Sequence, residues 1–132
     1  RLTPCVNPGN IAKIEAAPVC VIIGYDTMFW ELLPRLFPHR DMTAQYRDNA
    51  AHAETVAFRN GTLQGAYFML GARAMGMDFG AMSGFNNQAV DEEFFAGTTI
   101  KSNFLCNIGY GDTSGLFQKL PRFDFDEVCE II

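Results

Sequence analysis

Residues Ala51 to Met75 read as one long helix, and that helix constrains the chain more than any other feature. It carries small residues at every fourth position, Ala53, Ala57, Gly61 and Gly65, all on one face. A glycine inside a helix costs about 1 kcal/mol relative to alanine. Two of them on one face therefore mark a surface that needs close backbone approach. We expect this face to pack helix against helix across a two-fold axis. A second face carries Val56, Leu63 and Leu70 at helical spacing, so burial on more than one side is expected. The next ten residues, Gly76 to Phe85, hold three glycines and read as a loop. A bare backbone there lets a planar ligand approach without Cβ interference. Together the helix and loop suggest a cofactor site at a subunit or domain interface.

Around this centre the pattern is mixed. Asn7 and Pro8 suit the start of a short helix ending before Pro18. Val19-Cys20-Val21-Ile22-Ile23-Gly24-Tyr25 is a continuous apolar run, the pattern of a strand covered on both faces. Met28 to Phe37 reads as helical, and the polar residues His39 to Asn49 as loop. Asn87 to Phe95 reads as a helix capped by Asn86 or Asn87. Thr99 to Tyr110 reads as a strand, and Asp126 to Ile131 as a last short helix. Helices flanking a few strands give an α+β or three-layer domain. At 132 residues the expectation is one domain with a single core.

Composition excludes several functions. The chain is 48% hydrophobic and 19% charged, which rules out disorder, and its net charge of −5 argues against nucleic acid as main partner. Cys5, Cys20, Cys106 and Cys129 form no C-x-x-C pair, so neither a zinc site nor a redox motif is expected. The cysteine usage points to a reducing, cytoplasmic setting. No apolar run is long enough to span a membrane.

The catalytic side-chain patterns are missing. His39 and His52 do not form a metal motif, and Ser83 does not sit in a G-x-S-x-G elbow. Glu92 and Glu93 are adjacent, so on a helix they do not face one another. Gly109-Tyr110-Gly111-Asp112 lacks the helix that a dinucleotide fingerprint needs. Lys119 and Arg122 flank Leu120-Pro121 near a glycine-rich turn and could clamp a phosphate monoester. An enzyme built from this chain must borrow its chemistry from a cofactor.

Phe58-Arg59-Asn60, Arg73-Ala74-Met75-Gly76-Met77-Asp78, Met82-Ser83-Gly84-Phe85, Lys101-Ser102-Asn103, Asn107-Ile108-Gly109-Tyr110-Gly111-Asp112 and Leu120-Pro121-Arg122 occur in an order that resembles the nitroreductase family. The resemblance runs from Arg1 to Ile132. It is closest to the malonic semialdehyde reductase branch of pyrimidine degradation, which Leu33-Pro34-Arg35-Leu36-Phe37-Pro38-His39 also resembles.

The resemblance implies a nitroreductase-like three-layer α/β/α fold and an FMN-dependent reductase using NADH or NADPH. It implies an intertwined homodimer with the flavin at the subunit interface, and ping-pong hydride transfer to a small aldehyde, nitro compound or quinone. By motif position, Ala81, Met82, Ser83 and Gly84 would line the isoalloxazine, with a backbone N–H of Ser83 or Gly84 near its reactive nitrogen. Lys119, and second to it Arg122, would bind the phosphate.

The chain departs from the family in two ways. Ala81 stands where the family often has proline. Family members also begin with roughly a third more chain, whose helices and serine-rich segments complete the site. Residues 1–132 are therefore expected to be the C-terminal two-thirds of a nitroreductase-like domain. The alternative is a non-catalytic dimerisation core or a flavin-binding module.

Overall fold

A computed structural model describes residues 1–132. The chain forms six α-helices and three strands. In order they are α1 (Pro8–Ala16), β1 (Val19–Asp26), α2 (Leu33–Leu36), α3 (Thr43–Arg47), α4 (Ala50–Ala74), β2 (Asp78–Met82), α5 (Asn87–Phe94), β3 (Ile100–Gly109) and α6 (Phe125–Val128). A 3₁₀ turn, Phe29–Leu32, leads into α2. The sheet order is β1-β3-β2, antiparallel throughout. β3 is central and β2 lies at one edge.

Three layers follow from strand alternation. On one face, Ile22 of β1 pairs with Leu105 of β3. Both join Cys5, Val6, Phe85 and Val90 in a core that α1 and α5 cover, and Leu105 and Val90 are fully buried. On the other face, Ile23 pairs with Phe104 and packs under α4. The register slips between Ile23 and Gly24. There Gly24 lies so close to β3 that a Cβ would sit 2.9 Å from Ile100 Cγ2.

The long helix has well-formed ends. Asn49 caps it by accepting the His52 N–H at 3.0 Å. At its other end Gly76 takes φ +80°, the Gly76 N–H reaches Arg73 O and the Met77 N–H reaches Ala72 O. That pair of bonds is a Schellman motif, and it turns the chain directly into β2.

The small-residue face points inward. Ala53, Ala57, Gly61, Gly65 and Ala72 are buried against the chain's own sheet. A Cβ on Gly61 would lie 2.9 Å from Tyr25 Cβ, and one on Gly65 would lie 2.5 Å from Phe104 Cζ. Close approach was the right inference from the glycines, but the partner is the sheet and not a second helix. The face expected to be buried as well is open: Leu63 is 55% exposed and Leu70 65%.

Two further expectations change. Residues 78–82 are a strand, not loop, because β3 offers them a ladder from Asp78↔Gly109 to Met82↔Leu105. Residues 43–47 form a short helix inside the segment read as loop.

Beyond β3 the chain leaves the body as an arm. Asp78 holds its root, accepting the Gly111 N–H at 2.8 Å while pairing with Arg73. Every residue from Tyr110 to Ile132 is exposed.

Candidate functional site

The turn joining β2 to α5 is the best-defined candidate. Ala81 and Met82 end the edge strand, and Ser83 and Gly84 form the turn itself. Phe85, buried in the core, closes the turn by donating its N–H to Ser83 O at 3.0 Å. Such an i→i+2 bond makes Gly84 the centre of a γ-turn.

Two asparagines of the α1 region hold Gly84 O. The Asn7 N–H donates to it at 2.9 Å and Asn10 Nδ2 at 3.1 Å. A Val6–Phe85 bridge and the Asn86 N–H to Cys5 O bond of 2.8 Å extend the seam. Asn86 then caps α5 by accepting the Ala89 N–H.

The outcome is one-sided. Both carbonyls of the turn are engaged, while the N–H groups of Ser83 and Gly84 donate to no protein atom. Ser83 is exposed and Gly84 half-buried, so the turn lies at the surface. Two adjacent free donors on a fixed backbone suit a ligand that presents acceptors.

The predicted residues do not all come together. Ala81, Met82, Ser83 and Gly84 are contiguous, as their sequence requires. Lys119 and Arg122 lie on the arm. Arg122 Nη1 donates to Leu120 O and Pro121 O, and beyond Gly111 every hydrogen bond of the arm stays within the arm. Within one chain, the cations and the turn are thus separate structures.

A prominent hollow also lies elsewhere. A hollow of about 830 Å³ runs along α4, lined by Tyr25, Glu54, Phe58, Arg59 and Leu63 among others. A second, of about 520 Å³, shares Tyr25 and Phe58 and reaches Asn87, Asp91, Lys101 and Ser102. Neither touches residues 81–84. The larger is an open trough on the uncovered side of α4, so its size reflects missing packing more than a closed pocket. Tyr25 meets Phe58 edge to face between the two hollows. Burial, and then the Glu54 carboxylate, raise the Tyr25 hydroxyl pKa.

Asn10 escaped the sequence analysis, and Asn7 was read only as a helix cap. Their common partner, Gly84, lies more than seventy residues away. No local motif announces such a contact. Asn107 is similar: its Nδ2 donates to Lys13 O at 2.9 Å, while its buried Oδ1 has no partner. No cluster of His, Cys, Asp or Glu that could hold a metal ion occurs in the fold.

With the fold and turn defined, the class of protein follows. Residues 7–110 match the model of the nitroreductase family. The chain belongs to that family. It is 58% identical over 131 residues to a Burkholderia lata protein that carries the provisional name NADH dehydrogenase/NAD(P)H nitroreductase. The match covers 99% of this chain and 67% of that protein. A similarly named Ralstonia pickettii protein is 52% identical, with 99% and 68% covered.

Solved structures agree on the fold. A provisionally named nitroreductase of Bacillus subtilis superposes with a TM-score of 0.85 at 18% identity, covering 94% of this chain and 68% of that one. Another, from Exiguobacterium sibiricum and solved in complex with FMN, gives 0.80 at 17%, covering 98% and 69%.

Proposed function

We propose that the protein is an FMN-dependent NAD(P)H oxidoreductase working as a homodimer. Its acceptor is a small aldehyde of the 3-oxo-acid type, such as malonic semialdehyde, a nitro compound or a quinone. Residues 1–132 act as one nitroreductase-like unit in this reading. The observation that carries it is the turn at Ser83–Gly84, with its carbonyls tied back and its two amides free, in a chain of this family.

The turn suits a flavin edge, which presents ring nitrogen and carbonyl acceptors side by side. When bound, FMN would supply the redox chemistry for ping-pong hydride transfer from NAD(P)H to the acceptor. Ser83 and Gly84 would hold the ring edge through their N–H groups. Those donors favour negative charge on whatever faces them. Ala81 and Met82 would line the ring. Lys119 and Arg122 would hold the phosphate through charge-assisted bonds, once the arm is laid against a site.

Exposed apolar groups support the dimer. Leu63, Tyr67 and Leu70 of α4 and Phe117 and Phe123 of the arm are all more than half exposed. Leu63, Tyr67 and Leu70 recur at i, i+4 and i+7 on one side of α4, and exposed apolar residues grouped in this way suit an association surface. The four free cysteines fit a reducing cytoplasm. No helix is long and apolar enough to cross a membrane.

A second reading rests on the separation of the cations from the turn: a dimerisation core or flavin module without turnover. Colour and turnover separate the readings. The purified protein should be yellow, and NADH or NADPH should bleach its flavin absorbance. A colourless dimer, or a yellow protein that NAD(P)H leaves unbleached, would overturn the enzyme. Lys119→Ala should weaken FMN binding about tenfold, the scale of one hydrogen bond to a charged group. An unchanged FMN titration would remove Lys119 from the phosphate site.

A further inference from the structure

We infer that Asn10 is a positioning residue for the ligand-binding turn, holding the Gly84 carbonyl so that the Gly84 amide stays directed at the ligand beside that of Ser83. This deepens the reading of the turn as a flavin site and rests on it. Three observations converge. Asn10 Nδ2 donates to Gly84 O at 3.1 Å across the whole span of the fold. The Asn7 N–H shares the same oxygen at 2.9 Å, so the carbonyl is held from two directions. A Cβ placed on Gly84 would lie 2.5 Å from Asn10 Nδ2 and 3.3 Å from Asn7 Nδ2.

The last observation changes why residue 84 is glycine. Its φ is not positive, so no left-handed backbone demands it. The atoms a Cβ would meet are the side-chain amides of Asn10 and Asn7, and the nearer of them would have to move away. Glycine at residue 84 therefore leaves room for the clamp. Gly84 and Asn10 are thus one device. A methyl group at residue 84 pushes the Asn10 amide off the carbonyl, and loss of that amide frees the same carbonyl.

The geometry explains how the device acts on a ligand it does not touch. A peptide group is planar, so fixing Gly84 O on one side of the turn restricts the ψ of Gly84. The bond from the Phe85 N–H to Ser83 O fixes the preceding peptide. With Ser83 O and Gly84 O both held, the Gly84 N–H, which shares its peptide plane with Ser83 O, has little freedom left, while the Ser83 N–H is anchored through the end of β2 before it. Donors already aligned before a ligand arrives need no reorganisation when charge develops on it.

The test uses the whole protein loaded with FMN and compares Asn10→Ala, Gly84→Ala and the double variant. Alanine is the better helix former, so Asn10→Ala should leave the thermal midpoint nearly unchanged. FMN should bind roughly three- to tenfold more weakly, the loss of about one net hydrogen bond. The flavin midpoint potential should fall, because misaligned amides stabilise the reduced ring less. Gly84→Ala should do the same. The double variant should be no worse than the poorer single, because both changes break one contact.

An unchanged potential, or shifts that add in the double variant, would overturn the proposal. A lowered thermal midpoint with the flavin potential unmoved would reduce Asn10 to a purely structural contact and overturn it too. ¹⁵N relaxation of the flavin-free protein gives an independent reading. The order parameters of Gly84 and, less strongly, Ser83 should drop from about 0.85 toward 0.6 in Asn10→Ala. If they do not drop, the clamp is refuted whatever FMN does. If they drop in a protein that binds no FMN, the clamp stands and the flavin reading fails.

Discussion

The two faces of α4 are built from opposite materials. The inner face presents Ala53, Ala57 and Ala72, each no more than 6% exposed, together with Gly61 and Gly65. The outer face presents Leu63, Tyr67 and Leu70, which are 55%, 74% and 65% exposed. A helix on the surface of a monomer normally does the reverse, putting large apolar residues inside and polar ones outside. Here the sheet comes so close that only alanine and glycine fit beneath it. The large residues have no partner in their own chain. The inner face therefore sets the fold, and the outer face is the one the proposed dimer would use.

The largest test of this contrast is at Gly65. Gly65→Leu adds a side chain where even the Cβ falls 2.5 Å from the Phe104 ring. We expect a loss of about 3 kcal/mol, the upper range for overpacking, read as a lower urea midpoint. An unmoved midpoint would mean the sheet does not lie against this face. At Leu70 the expected effect is smaller and of another kind. Leu70→Glu should leave the monomer fold intact, because the residue touches little of its own chain. It should weaken association by about 1.5–3 kcal/mol per subunit, the worth of one buried leucine. Sedimentation velocity should then show half-mass particles at dilutions where the parent protein remains paired. An unchanged sedimentation coefficient would separate the outer face from any dimer contact.

The same contrast shows where the sequence could be read and where it could not. Elements with local causes were legible. The length of α4, its Gly76 exit and the apolar runs of β1 and β3 all follow from adjacent residues. The cap of α5 could be narrowed to Asn86 or Asn87 for the same reason, and the structure gives it to Asn86. Features with distant causes were not. Asp78-Phe79-Gly80-Ala81-Met82 has no alternating β-branched pattern, and it becomes a strand only because β3 pairs with it. The glycines of α4 announced a close neighbour but could not say which. Ser83 and Gly84 were singled out as backbone donors, and the turn does leave their amides free. The asparagine that ties the turn back lies 74 positions earlier in the chain. The five residues of α3 carry too little pattern to mark a helix.

The smallest expected effect concerns the arm, the other apolar element without cover in its own chain. Near its root, Asp112 accepts the Ser114 N–H at 2.8 Å and so caps the short turn Thr113–Gly115. Hydrogen bonding with Ser114 holds the Asp112 carboxyl below the usual carboxylate range. A depressed native pKa stabilises the turn above the unfolded value of about 3.9 and loses that contribution as pH falls through the native value. The turn should therefore be intact at neutral pH and loosen only in strong acid. The group is fully exposed, so the body of the protein should not respond. The Ser114 amide resonance should titrate below the ordinary aspartate range while the amides of Leu105 and Val90, in the buried core, stay fixed. Concerted movement of both sets would tie the arm's root to the packing of the sheet. Independent movement would place the arm with the outer face of α4, as a part of the chain shaped for something beyond itself.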